Sequence, residues 1–367
     1  MGLFSGSNAD TTLEQAVLRA LRTVQEPELG GDLVARNMVR DLRVDDGRVS
    51  FTVELTTPAC PLKDQIKDEC EAAIERIAGV PRERVAIEFS AQVRPRGGVL
   101  EKAAIPGVSH VIAVAAGKGG VGKSTVAVNL ALALAQEGAR VGLLDADVYG
   151  PSVPLMMGAK GQPAIITGPD GQPQMQPIAA HGVKLMSFGF MVEENQPVIW
   201  RGPMVSQGLR QFLYQVAWAP LDYLIIDMPP GTGDIALTLA QSLQNVGLTG
   251  VVTVTTPQAV ATLDVLKSME MFKKVNVPLL GIVENMAYFI APDTGKRYDI
   301  FGSGGAARLA ARLGVPLLGQ IPLGMRIREG GDDGRPAVLS DMPDAYAETF
   351  REVARQLAAR ISVLEYA

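Results

Sequence analysis

Two kinds of hydrophobic spacing occur along the chain, and their distribution divides it in two. Early on, Leu13, Ala16, Val17, Ala20, Leu21 and Val24 recur at helical spacing, the pattern of a helix with one buried face. Thr11, with Glu14 three residues later, predicts the start of that helix as a capping box. Pro27 and Gly30-Gly31 end it. Val39–Val44 and Val49–Leu55 flank Asp45-Asp46-Gly47, which predicts a β-hairpin. A helix through about Ile77 and a strand over Val85–Phe89 complete a small α+β unit, placed at residues 11–93.

Beyond residue 108 the apolar positions run together. Val111–Ala116, Val141–Leu144, Tyr223–Ile226, Val251–Thr255, Leu280–Val283 and Leu317–Ile321 are near-continuous apolar strands with helical patterns between them. Such strands are buried on both faces, so the expected fold is α/β: a mainly parallel sheet covered by helices on both sides. Ligands in these sheets bind at the carboxyl ends of the strands. This second unit is assigned residues 108–367, and the Gly/Pro-rich stretch 94–107 reads as a linker. Residues 1–10 are polar and read as a flexible N-terminus without a signal peptide. Gly158–His181, rich in Gly, Pro and Gln, reads as a surface excursion. Ala345 to about Ser362 reads as a packed terminal helix with both charge signs on its outer face.

Composition narrows the function classes. The chain has 367 residues, enough for two to three domains. A net charge of −5 gives no support to a nucleic-acid or membrane-surface partner. Two cysteines, Cys60 and Cys70, cannot make a disulfide framework, and no apolar run reaches the length of a membrane span. A cytoplasmic location is expected. His110 and His181 are isolated and read as structural. Cys70, between Glu69 and Glu71, reads as core. Cys60 stands between two prolines ahead of a helix, a place suited to a thiolate ligand or to a small buried residue.

The chemistry concentrates at Gly117-Lys118-Gly119-Gly120-Val121-Gly122-Lys123-Ser124-Thr125, between a predicted strand and a predicted helix. It satisfies G-x-x-x-x-G-K-[ST]. Glycines let the loop turn its N–H groups onto phosphate oxygens, and the helix N-terminus adds a positive dipole end. Lys123 would reach the β/γ-phosphates, and the Ser124 hydroxyl would ligate Mg²⁺. Two further strand ends are acidic: Asp145-Ala146-Asp147-Val148-Tyr149-Gly150-Pro151-Ser152 and Asp227-Met228-Pro229-Pro230-Gly231-Thr232-Gly233-Asp234. Asp227 fits the carboxylate behind Mg²⁺, and Gly231 could set its N–H near a γ-phosphate. Asp145 or Asp147 would touch the metal or orient the attacking water.

The second lysine of the loop, Lys118, makes it resemble the deviant P-loop of MinD/ParA-type dimeric ATPases. That resemblance implies a homodimer in which Lys118 reaches the nucleotide of the other subunit. The two aspartate loops, Glu284-Asn285-Met286 and Ile327-Arg328-Glu329-Gly330-Gly331 are similar to those of the Mrp/ApbC iron–sulfur cluster carrier ATPases. Leu55-Thr56-Thr57-Pro58-Ala59-Cys60-Pro61-Leu62 resembles the iron–sulfur-maturation domain often fused ahead of them. The resemblance implies ATP hydrolysis, with Asp147 on the water, Asp227 behind Mg²⁺ (Asp145 a further candidate ligand) and Asn285 on the adenine edge. It also implies carriage of a [4Fe–4S] cluster and contact with scaffold or client apoproteins; the net charge of −5 argues against nucleic acid or membrane as a partner. One departure stands out. Ala291 and Thr294 occupy the places where cluster-bearing relatives have Cys-x-x-Cys, and neither ligates a thiophilic cluster well. A cluster would then have to use Cys60, outside ligands or a partner's thiols. A nucleotide-switched scaffold without a cluster and a MinD/ParA-like positioning ATPase are the alternatives.

Overall fold

The computed structural model describes residues 8–27, 29–93, 104–191, 202–340 and 344–366. The expectations for residues 1–7 and for most of the 94–107 linker fall outside the described residues. By its contacts the chain parts into two compact units, residues 1–94 with 358–367, and residues 95–357.

The first unit contains α1 (Asn8–Leu21), the hairpin β1 (Val39–Asp45) and β2 (Arg48–Leu55), α2 (Lys63–Ala78) and β3 (Val85–Ala91). Its helix begins at Asn8, one turn before the expected Thr11 cap. β1 and β2 pair antiparallel and β3 joins β2 in parallel, giving a three-stranded sheet. Alternate residues of β2, Val49, Phe51, Val53 and Leu55, are buried against Val17 and Leu21 of α1 and Ile66, Cys70 and Ile74 of α2. Period-2 and period-3.6 patterns thus close one core. The 358–367 stretch grouped here was expected with the second unit. Within the first unit the Thr56 hydroxyl donates to Ser362 Oγ at 3.0 Å.

The second unit follows the order β4 (Val108–Ala116), α3 (Lys123–Gln136), β5 (Val141–Asp145), α4 (Val153–Met156), β6 (Ile165–Thr167), β7 (Pro173–Met175), β8 (Ile178–Ala180) and β9 (Val183–Ser187). It continues with α5 (Gly202–Tyr214), β10 (Leu221–Asp227), α6 (Asp234–Gln244), β11 (Gly250–Thr255), α7 (Ala259–Lys274), β12 (Leu279–Glu284) and the short hairpin β13 (Phe289–Ile290) and β14 (Arg297–Tyr298). α8 (Gly305–Leu313), β15 (Leu317–Gln320), α9 (Met325–Asp332) and α10 (Ala345–Tyr366) complete the order, and α10 runs past the unit boundary at residue 357. The main sheet has the order β15-β12-β11-β4-β10-β5-β9-β8. It is parallel except at the β8 edge.

Every residue of β5, β10 and β11 is buried, as continuous apolar strands require. β4 lies between β10 and β11, so the chain leaves its carboxyl end where the strand order turns, the usual place for a ligand crevice. The excursion at Gly158–His181 is more structured than its composition suggests. β6 and β7 form their own hairpin, and β8 joins the main sheet. No helix among the described residues is long and apolar enough to cross a membrane.

Candidate functional site

The loop after β4 is held by its neighbours. Gly122 caps α3 at φ +79°, and a Cβ there would lie 2.1 Å from Asn285 Nδ2. Only glycine meets both conditions. Asn285 uses that amide to donate to Val121 O at 2.9 Å. Gly117 packs so closely on α7 that a Cβ would sit 2.3 Å from the Asp264 carbonyl carbon. The loop is therefore wedged between the residue after β12 and the body of α7 before it meets any ligand.

At the head of α3 the polar groups converge. Lys123 Nζ donates to Asp227 Oδ1 at 2.7 Å and to Ser124 Oγ at 3.2 Å, and it lies 3.6 Å from Asp147 Oδ2. Ser124 Oγ donates to Asp227 Oδ2 at 2.6 Å. Asp227 is fully buried, and burial raises its affinity for a proton against the opposing pull of Lys123 and Ser124. Behind it, Asp145 is also fully buried; burial first, then the Asp227 carboxylate, raise its pKa, while the bonds from Ser187 and the Asp147 amide and the charge of Lys123 oppose the shift. One cation, two carboxylates and a hydroxyl at a helix N-terminus form a set of groups that could hold a triphosphate and a divalent metal. Ser124 and Asp227 offer the hard oxygen ligands that Mg²⁺ prefers.

These groups open into a cavity of about 520 Å³ lined by Lys118, Gly119, Gly120, Gly122 to Thr125 and Asp147, with Met286, Pro322, Leu323 and Ile327 as an apolar wall. The shape suits a nucleotide: phosphates at the glycine loop, an apolar face for a base.

Three residues expected at the ligand have other partners. Asn285, expected on the adenine edge, lines the cavity and also donates an amide N–H to the loop carbonyl of Val121. Gly231, expected near a γ-phosphate, donates its N–H to Ala116 O at 2.9 Å. Asp145, expected on the metal, accepts from Asp147 N at 3.1 Å, Val153 N at 3.3 Å and Ser187 Oγ at 3.0 Å. Its oxygens are engaged inside the protein, so it shapes the Asp147 loop. Ser187 itself was not singled out by its sequence. The apolar run of β9 just after Gly182 is the signal that would have placed it at a strand end beside Asp145.

Ala291 and Thr294 lie in the turn of the β13–β14 hairpin. Ala291 N donates to Lys296 O at 2.9 Å, and Thr294 Oγ1 accepts from Lys296 N at 3.4 Å. The turn closes through its backbone without thiolates. Among the described residues no group of three or more His, Cys, Asp or Glu side chains could hold a metal ion. Neither cysteine is in a disulfide. Cys70 is buried in the first unit's core, and burial, then Glu69 and Glu71, push its thiol up to about 12. Cys60 is half-buried, ahead of α2. His110 stacks on Tyr223 with centroids 5.5 Å apart, and His181 Nε2 lies 3.1 Å from Gly334 O.

The chain is similar to known proteins. Residues 107–358 match the family described as NUBPL iron-transfer P-loop NTPase, and residues 14–87 match that described as iron-sulfur cluster assembly protein. The chain is 50% identical over 350 residues to an iron-sulfur cluster carrier protein of Synechocystis sp., covering 95% of this chain and 98% of that one. It is 43% identical over 360 residues to one from Escherichia coli, covering 97% and 95%. A nucleotide-binding protein from Archaeoglobus fulgidus, solved in complex with ADP, is 37% identical with a TM-score of 0.57, over 68% of this chain and 95% of that one. The cell division ATPase MinD of Pyrococcus furiosus, 24% identical with a TM-score of 0.51 over 67% and 97%, shares the fold.

Proposed function

Because the chain belongs to the family of NUBPL-type iron-transfer P-loop NTPases, with an iron–sulfur cluster assembly segment ahead of it, we propose that it hydrolyses ATP to carry iron–sulfur clusters to apoproteins. The observation that carries this reading is the convergence of Lys123, Ser124, Asp147 and Asp227 at the head of α3. Lys123 and the amides of residues 119–125 bind the β- and γ-phosphates. Asp147, 3.6 Å from that ammonium, orients the attacking water. Ser124 and Asp227 would hold Mg²⁺, which would supply charge neutralisation at the phosphates. Turnover then rests on positioning and fixed charge. Lys118 lines the same cavity and, in a homodimer, would serve the partner's nucleotide. Asn285 keeps the loop in shape. The division into a small α+β domain and an ATPase domain belongs to this proposal.

The cluster is cargo, and Cys60 is its candidate ligand. A second reading, a nucleotide-switched scaffold that binds no cluster, is favoured by Ala291 and Thr294 in the β13–β14 turn.

The test of the ATPase is direct. Lys123→Ala should lower ATP turnover by about a hundredfold or more, the scale of removing a main phosphate stabiliser. Lys118→Ala should keep nucleotide binding and lose hydrolysis. Unchanged phosphate release by Lys123→Ala in a clean preparation would refute the site.

A further inference from the structure

The turn after β9 links the Asp147 loop to α5, and it lies outside the nucleotide cavity. Ser187, the last residue of β9, is fully buried. Its hydroxyl donates to Asp145 Oδ2 at 3.0 Å and accepts from Gly189 N at 2.9 Å. The other donors to Asp145 are the backbone amides of Asp147 and Val153, at the two ends of the loop between β5 and α4. Gly189 lies against Pro151 of that loop, since a Cβ there would come within 3.2 Å of Pro151 Cβ. On its other side the turn is gripped by α5. Phe188 is buried with its ring 4.7 Å from that of Phe212, and a Cβ on Gly208 would lie 2.7 Å from the Phe188 ring.

We propose that Ser187 is a positioning residue for ATP hydrolysis: through Asp145 it fixes the loop that aims Asp147, while touching no part of the nucleotide. The physical reason lies in Asp145. A buried carboxylate needs every donor it can find. The Gly189 N–H to Ser187 O–H to Asp145 chain is polarised in one direction, and each bond strengthens the next. Ser187 supplies the one side-chain donor among those three, so the orientation of the carboxylate, and with it the height of the Asp147 amide, depends on this hydroxyl. Losing it leaves an under-satisfied carboxylate that must rotate toward another donor, and the loop moves with it. The same geometry makes α5 a second handle, because pushing Phe188 away from Gly208 pulls on Ser187.

The inference rests on the ATPase reading, and one set of assays separates the two. Steady-state hydrolysis, ADP affinity and thermal midpoint are measured for the full chain, Ser187→Ala, Ser187→Thr, Gly208→Ala, Asp147→Asn and the Ser187→Ala/Asp147→Asn double variant. Ser187→Ala should lower kcat about tenfold, the effect of losing one charge-assisted bond, while KM for ATP and ADP affinity change less than about twofold. Ser187→Thr, which keeps the hydroxyl, should restore most of the rate. Gly208→Ala should lower kcat in the same sense from outside the cavity. In the Asp147→Asn background Ser187→Ala should cost nothing further, because both act through one group. A rate loss in Ser187→Ala that is fully additive with Asp147→Asn, or that Ser187→Thr fails to rescue, overturns the positioning role. So does a loss that follows the thermal midpoint and ADP affinity together. If the unmodified chain does not hydrolyse ATP, the ATPase reading fails first.

Discussion

Arg140 and Asp222 meet where β5 and β10 begin. Arg140 donates its backbone N–H and Nε to Asp222 Oδ2 at 2.8 and 3.1 Å, and its Nη2 to Oδ1 at 2.5 Å. Burial works to raise the Asp222 pKa, but the hydrogen bonds and charge of Arg140 outweigh it and hold the carboxyl below its usual range. A carboxylate with a lowered folded pKa stabilises the protein above the unfolded value of about 4 and loses that contribution as pH falls through the folded value. The arginine is more than half exposed, so solvent screens the pair and about 0.5–1 kcal/mol is at stake. Asp222→Asn should therefore unfold at lower urea than the parent at pH 7. The gap between the two midpoints should narrow as the pH is lowered through 4. A gap constant from pH 7 to 3 would show that the charge contributes nothing.

At the scale of elements, the glycine loop is a wedge held from both sides, and Asn285 is the peg on one of them. Asn285→Ala leaves the Val121 carbonyl without its donor, at a cost of about 1–3 kcal/mol in stability. ADP affinity, measured by titration calorimetry, should weaken several-fold because the loop is no longer preset. Unaltered affinity would mean that the loop holds its shape without this side chain. Residue types and spacing made the loop, the two acidic strand ends and the near-continuous strands readable, since each follows from a local requirement. The partner choices were not readable. Nothing in the spacing of Glu284-Asn285-Met286 or of Gly231 says whether an amide serves a ligand or a neighbouring strand. β9 was missed because it is short and broken by Lys184, whose ammonium caps the carbonyls of Ala217, Trp218 and Ala219 at 3.3, 2.6 and 2.8 Å. A lysine inside an apolar run looks like a loop until those carbonyls are known.

For the whole molecule, the two readings divide on one thiol. Anaerobic reconstitution with iron and sulfide, followed by metal and sulfide counts per chain, should load the parent protein and fail in Cys60→Ser. Cys70→Ser should still load, because that thiol is buried and too weak an acid to serve as a thiolate. No cluster on the parent protein would favour the scaffold. The division of the chain also bears on how it is made. Residues 358–367 group with residues 1–94, so the first unit is assembled from stretches separated by roughly 260 residues of the other. A ribosome adding about 5–20 residues per second would take about 13–50 s to cross that gap. A nascent chain thus holds every residue of the core made by α1, α2 and β2 well before Ser362 arrives to accept the Thr56 hydroxyl, so that last hydrogen bond is added to a core whose parts are already made.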